Sequence, residues 1–186
     1  DDKFVVSRKA WRKGGSKMFV MVKSRVAVKD LLRGIIIQSG NDACIVIAEG
    51  ISGSEDAFAE EMTRKAKEIG LKNSSFKNAT GWPAEGHYMS ARDIATLSKK
   101  LILDFPEYYK LFSEIEFSFG GIKQGNRNPL LYKGFGADGL KTGHTEASGY
   151  GLAASTIRKG RRLLLVINGL SSKRARGSES ARLIDW

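Results

Sequence analysis

Asp138-Gly139-Leu140-Lys141-Thr142-Gly143-His144-Thr145 sets a lysine, a hydroxyl and a glycine on consecutive positions of a segment whose residues 139–142 read as a strand. Glycine within a strand marks a place where another backbone comes close, while Lys141 supplies positive charge and Thr142 a hydroxyl. The same residues fit an ordinary edge strand guarded by a lysine, and taken alone the tetrapeptide favours that plainer account. Downstream, residues 149–157 and 162–168 are predicted to pair as a hairpin about Lys159-Gly160, a dipeptide suited to a tight turn. Residues 174–186 then close the chain as a helix. An antiparallel sheet covered by a terminal helix follows for this part of the chain.

Upstream the texture is helical. Leu31, Leu32, Ile35 and Ile36 form an apolar stripe that predicts a buried helix over 29–37. A second helix is expected over 42–51, with Asn41 near its N-cap. The next is better marked: Ser54 caps it, Glu55 and Asp56 fall in its first turn and Gly70 follows its end, while Phe58, Met62, Ala66 and Ile69 share one face. Residues 73–88 read as a loop around Gly81-Trp82-Pro83. Ser90-Ala91-Arg92-Asp93 forms a capping box for a helix carrying Ile94, Leu97 and Leu101 and ending at Pro106. The first stretch, 4–28, reads as β-rich with a short strand over 16–22, and residues 115–119 alternate as a half-buried strand does. The expected fold is α+β: one compact unit with a helical lobe and an antiparallel sheet covered by helices.

Composition narrows the function classes. Hydrophobic residues at 41% and charged residues at 27% are ordinary for a folded domain, and no apolar run approaches the roughly 18 residues of a membrane span. The start, Asp1-Asp2-Lys3-Phe4, reads as a cut inside a longer chain. A net charge of +11 raises nucleic-acid binding, but no nucleic-acid-binding motif accompanies the basic stretches 8–17 and 158–176. The charge reads instead as a solvated basic face, suited to an anionic polymer or membrane surface. One cysteine, Cys44, excludes an intrachain disulfide. Two histidines, His87 and His144, are too few for a zinc site without carboxylates, so neither metal nor cofactor is expected.

A second short motif, Ser39-Gly40-Asn41, lies in a turn between two apolar helices. Alone it is accounted for by a helix end followed by an N-cap. Together with Lys141-Thr142-Gly143 about a hundred residues later it is another matter. S-x-N followed by K-T-G at this distance resembles the second and third motifs of the active-serine penicillin-recognising enzymes. Ile37-Gln38-Ser39-Gly40-Asn41-Asp42-Ala43-Cys44, Gly70-Leu71-Lys72-Asn73, Ser90-Ala91-Arg92-Asp93, Asn126-Arg127-Asn128 and the stretch 138–145 extend the resemblance over essentially the whole chain. The family is that of the low-molecular-mass penicillin-binding proteins, the serine D-alanyl-D-alanine carboxypeptidases.

The resemblance implies a penicillin-binding, β-lactamase-like fold and a reaction on peptidoglycan stem pentapeptides ending in D-Ala-D-Ala. An activated serine forms an acyl-enzyme that water then hydrolyses, and β-lactams inhibit it. It implies roles for Ser39 in proton return to the leaving amine, for Asn41 in orienting lysine and substrate amide, and for Lys141 with Thr142 in receiving the terminal carboxylate. Gly143 and His144 would align substrate by strand addition, the His144 backbone N–H serving as an oxyanion donor. Arg127 is a further candidate for steering the carboxylate, against a plain structural ion pair.

The family's nucleophile and its lysine lie in an S-x-x-K motif upstream of S-x-N. The literal match here, Ser74-Ser75-Phe76-Lys77, falls on the wrong side in a loop-like stretch. The nucleophile is therefore expected before residue 1, making residues 1–186 a partial transpeptidase-like catalytic domain that is inactive by itself. Family members are exported to the periplasm or outer cell surface, and membrane association through segments outside this chain is implied with them. A β-lactamase is disfavoured by the missing E-x-x-L-N element and by Gly40 in place of the aspartate of S-D-N. A DD-endopeptidase remains open, and a basic nucleic-acid-binding module is the remote alternative, with no nucleic-acid partner expected.

Overall fold

The computed structural model describes residues 2–186; Asp1, part of the stretch read as a cut, lies outside the described residues. The chain begins with β1 (Lys3–Val5), α1 (Arg8–Arg12), β2 (Arg25–Ala27), α2 (Val28–Ile36), α3 (Asn41–Ser52), α4 (Glu55–Glu68), β3 (Ser74–Ser75) and β4 (Tyr88–Met89). It continues through α5 (Ala91–Asp104), α6 (Pro106–Tyr109), β5 (Glu116–Phe119) and β6 (Ile122–Gly125). It ends with β7 (Ala137–Thr145), β8 (Gly149–Arg158), β9 (Arg161–Leu170) and α7 (Lys173–Asp185). These elements divide into two compact units. A helical unit comprises Asp1–Glu68, Ser74–Tyr88 and Ile115–Asn126, and a sheet unit comprises Ile69–Asn73, Met89–Glu114 and Arg127–Trp186.

The core of the helical unit is built around α3, whose Ala43, Ile45, Val46 and Ala48 are fully buried. Leu31 of α2 and Val6, Met18, Val20 and Val26 from the preceding loops and strands join Ala43, Ile45 and Val46 in one cluster. Each fully buried Ile, Leu or Met side chain contributes roughly 1.5–3 kcal/mol relative to exposure, and of the apolar stripe read in the sequence Leu31 lies in this cluster while Ile35 packs against it. Ser54 Oγ accepts the Ala57 N–H (3.1 Å), the helix cap expected for α4.

Two expectations for this unit fail, each for a physical reason. Residues 16–22 do not form a strand. Phe19 is left-handed (φ 67), and its N–H and those of Met18 and Val20 all donate to the carboxylate of Asp42 at 2.8, 2.8 and 3.2 Å. A buried side-chain acceptor collects amides that a neighbouring strand would otherwise have taken. The first stretch is accordingly not β-rich: β1 and β2 pair over three residues each, with α1 between them. Residues 115–119 do form a strand, but β5 pairs with β6 in a separate two-stranded ribbon. Phe117 and Phe119 pack against the helical core, and Gln38 Nε2 donates to the Phe117 carbonyl at 3.1 Å.

In the sheet unit, β7, β8 and β9 form an antiparallel sheet in that order. The β8–β9 turn is Lys159-Gly160, both left-handed (φ 49 and 74), the two-residue hairpin geometry that the sequence predicts. α5 and α7 both pack against β9. Leu130, Leu152, Ala154 and Ile184 make the core beneath α7, whose N-cap Ser172 accepts the Ala175 N–H at 3.0 Å. The helix-covered sheet is thus present as expected. Among the described residues, no helix is long and apolar enough to cross a membrane.

Candidate active site

Ser39 and Asn41 belong to the helical unit, and Lys141, Thr142, Gly143, His144 and Arg127 to the sheet unit. Within the first, α2 ends just before Ser39, which is left-handed (φ 54) although it is not glycine. That conformation costs a non-glycine residue about 1–2 kcal/mol and persists only where surroundings over-determine it. They do so here. The Gly40 N–H donates to the Gly34 carbonyl (2.9 Å), the Asn41 N–H to Ser16 O (2.9 Å) and Asn41 Nδ2 to Gly14 O (3.0 Å). Asp42, one residue on, anchors 18–20 from below, and its Oδ1 also accepts the Ala43 N–H (3.0 Å). The turn is therefore stitched to the 14–20 segment through both main chain and side chains. Trp82 lies against the same segment: a Cβ on Gly15 would meet its ring at 2.9 Å and Asn41 Nδ2 at 2.7 Å.

In the sheet unit the second motif sits on β7, an edge strand of its sheet. Pairing with β8 runs Lys141↔Ala153, Thr142↔Leu152, Gly143↔Gly151 and His144↔Tyr150. Lys141 and Thr142 are half-buried and Gly143 and His144 exposed. Lys141 Nζ donates to the Thr142 carbonyl at 3.0 Å. The His144 ring lies against Tyr150, its cross-strand partner, with centroids 3.9 Å apart. A Cβ on Gly143 would meet nothing within 4 Å. No packing among the described residues requires glycine there, which leaves the approach of an external group as a reason for it.

One residue of this site was not legible in the sequence. Arg176, on α7, is buried, its guanidinium lies 5.8 Å from the Tyr150 ring centroid, and Nη2 donates to the Arg127 carbonyl at 3.5 Å. Its Nε is buried without a hydrogen-bond partner among the described residues. Burial lowers the pKa of Arg176, Tyr150 opposes that, and repulsion from Arg127 adds to it. Burial likewise lowers the pKa of Arg127. Arginine stays charged regardless, so this corner of the sheet unit holds two cations and an unsatisfied buried donor beside the His144–Tyr150 pair. Such an arrangement suits an incoming carboxylate. In the sequence Arg176 was one of many cations in 158–176, and charge alone did not single it out.

The other residues weighed in the sequence are structural. His87 Nδ1 accepts the Lys77 N–H (3.1 Å), and burial lowers the ring's pKa. The ring packs edge-on to Phe76 with centroids 5.7 Å apart. The literal S-x-x-K at Ser74-Ser75-Phe76-Lys77 starts as the two-residue β3, and the Phe76 N–H donates to Thr63 Oγ1 (2.9 Å), so it does not open a helix.

The D-alanyl-D-alanine carboxypeptidase family model matches residues 1–172. The chain belongs to this family. Over its whole length it is 42% identical to the D-alanyl-D-alanine carboxypeptidase DacD of Escherichia coli, of which it covers 50%. It is 40% identical to DacF of Bacillus subtilis, all of the chain against 49% of that protein. Penicillin-binding protein 5 from Haemophilus influenzae superposes on the whole chain with a TM-score of 0.95 at 42% identity, 55% of that protein being covered. The fold is that of the penicillin-binding proteins, as the sequence resemblance implied. The chain spans about half the length of the curated relatives it matches.

Proposed function

We propose that these residues form the substrate-facing part of a serine D-alanyl-D-alanine carboxypeptidase that removes the terminal D-alanine from peptidoglycan stem peptides. The observation that carries the reading is the edge strand Lys141-Thr142-Gly143-His144, open in front of Gly143 and flanked by a buried arginine with an unsatisfied donor. A peptide ending in a carboxylate can lie along β7 by strand addition. Its carboxylate is taken by Thr142, Lys141 and, beyond the sequence reading, Arg176, with Arg127 adding positive potential. The His144 backbone N–H stabilises the carbonyl oxygen as it becomes tetrahedral.

The attacking serine oxygen forms a bond to the carbonyl carbon of the penultimate D-alanine. The C–N bond to the last D-alanine breaks, and the departing amine takes a proton passed through Ser39. Asn41 holds the substrate amide and the neighbouring lysine in line. Water then hydrolyses the ester. A β-lactam enters the same strand and forms the same ester, which turns over slowly. The reaction belongs in the periplasm or at the outer cell surface, where the polymer is.

The test is D-alanine release from a pentapeptide by the full-length protein, together with labelling by a fluorescent penicillin. Arg176→Gln should raise KM for the pentapeptide about tenfold or more by removing a charge-assisted contact, with kcat changed less. Absence of both release and labelling would overturn the reading. Faster cleavage of a cross-linked dimer than of the pentapeptide would make the protein an endopeptidase. Labelling of the 186-residue chain by itself would put the nucleophile inside it rather than upstream.

A further inference from the structure

We infer that Tyr109, Asp138, Ser155 and Arg162 form a register lock that positions Lys141 and Thr142, an inference that rests on the function proposed above. Asp138 is the extra residue of a β-bulge: Ala137 pairs with Thr156 and Gly139 with the adjacent Ser155, leaving Asp138 without a partner on β8. From Gly139 to Thr145 the pairing then runs without interruption. Side chains alternate along a strand, so a bulge fixes which residues face which way, and a slip by one position would exchange the faces of Lys141 and Thr142.

The bulge is held from three other elements. Tyr109 Oη, at the end of α6, donates to Asp138 Oδ1 at 2.9 Å. Arg162 Nη1, on β9, lies 2.8 Å from Asp138 Oδ2 and 3.0 Å from Oδ1. The same nitrogen also donates to the hydroxyl of Ser155, the fully buried β8 residue that pairs with Gly139. The guanidinium carbon lies 5.6 Å from the Tyr109 ring centroid, and that ring stacks on Phe112 with centroids 5.5 Å apart. The carboxylate and guanidinium are only 27% and 31% exposed. Gly139 completes the fit, since a Cβ there would sit 2.5 Å from the Tyr109 hydroxyl oxygen. Burial pushes the pKa of that hydroxyl up to about 12, so it remains a donor to Asp138 throughout the neutral range. None of the four residues belongs to the S-x-N or K-T-G triplets themselves, yet together they set the phase of the strand three residues before Lys141.

The experiment compares full-length Asp138→Asn, Arg162→Gln, their double variant and Arg162→Lys with Ile184→Ala, a core truncation in the same unit. Each is read by thermal midpoint, by kcat and KM, and by the second-order rate of acylation with a fluorescent penicillin at a temperature where all are folded. Misplacement of Lys141 and Thr142 should slow acylation about tenfold in each single lock variant. The double variant should lose no more than the worse single, as coupled groups do, and Arg162→Lys should recover part of the rate. Ile184→Ala should lower the midpoint yet keep acylation within about twofold, because its loss is one of packing. Lock variants that acylate at the parent rate, or that lose rate only in proportion to midpoint, would overturn the inference. If Asp138→Asn does not fold, Tyr109→Phe removes the hydroxyl alone and should still slow acylation about threefold; a parent rate there would count against the lock. A parent enzyme that is not acylated would refute the function instead. In that case amide exchange over residues 139–144 decides the lock: faster exchange in Asp138→Asn but not in Ile184→Ala supports it, and equal exchange removes it.

Discussion

The turn at Ser39-Gly40-Asn41 and the strand at Lys141-Thr142-Gly143-His144 hold their side chains by opposite means. The turn is irregular. Ser39 sits in a left-handed conformation, and Asn41 is tied by two hydrogen bonds to a loop whose next residues are gathered on one carboxylate, Asp42. The strand is regular, and its side chains face where the β-ladder sends them once the bulge at Asp138 has set the phase. An irregular site depends on a few strong tethers and should fail abruptly when one is cut. A site on a ladder spreads its support over many bonds, so most changes should alter its aim rather than its existence.

Asp42→Ala should have the largest effect. Four backbone amides, those of Met18, Phe19, Val20 and Ala43, lose this acceptor, and unsatisfied buried donors cost roughly 1–3 kcal/mol each. A loss of about 3 kcal/mol or more in urea denaturation is expected. A loss below about 1 kcal/mol would mean that the turn is not held by this tether, and the contrast would collapse. The two glycines of the strand come next. Gly139→Ala should destabilise by about 1–3 kcal/mol, as overpacking does, because its Cβ would meet the Tyr109 hydroxyl oxygen at 2.5 Å and Phe112 Cβ at 3.2 Å. Gly143→Ala should leave stability within about 0.5 kcal/mol, yet slow acylation by a penicillin through crowding of the approach to the strand. Equal effects of the two substitutions on stability would show that the strand edge is not open.

The smallest effect concerns pH, and it belongs to the helical unit. Burial lowers the pKa of His87 below its ordinary value of 6.5, so the unfolded chain binds its proton more readily than the folded one. Stability is then fully present above the unfolded pKa and declines as pH falls through it. Thermal midpoints measured between neutral and mildly acidic pH should drop in the parent. They should drop less in His87→Gln, and an identical slope in both would remove His87 as the cause.

Much of this architecture was legible from residue order. The apolar stripe of α2, the Ser54 and Ser90 caps, Pro106 as a helix boundary and the Lys159-Gly160 hairpin are local signals, and local physics decided them. The absence of a strand over 16–22 was not legible. That segment carries the apolar run Met18-Phe19-Val20-Met21-Val22, which suits a strand, but the carboxylate that captures its amides arrives from residue 42, on α3. Arg176 was hidden for a related reason: its burial and its unmet Nε follow from where α7 docks, and neighbouring arginines in the sequence carry the same letter without that environment.

By itself the sequence carried the family resemblance in its two motifs and determined the α+β plan, the latter because caps, turns and apolar periodicity act over a few residues and survive any docking. Tertiary structure alone decided which backbone amides Asp42 gathers, which buried cation stands beside Tyr150, and how Tyr109, Asp138, Ser155 and Arg162 meet at the bulge. Each of these joins groups from separate elements, where the strength of a contact depends on burial and angle that no stretch of neighbouring residues encodes.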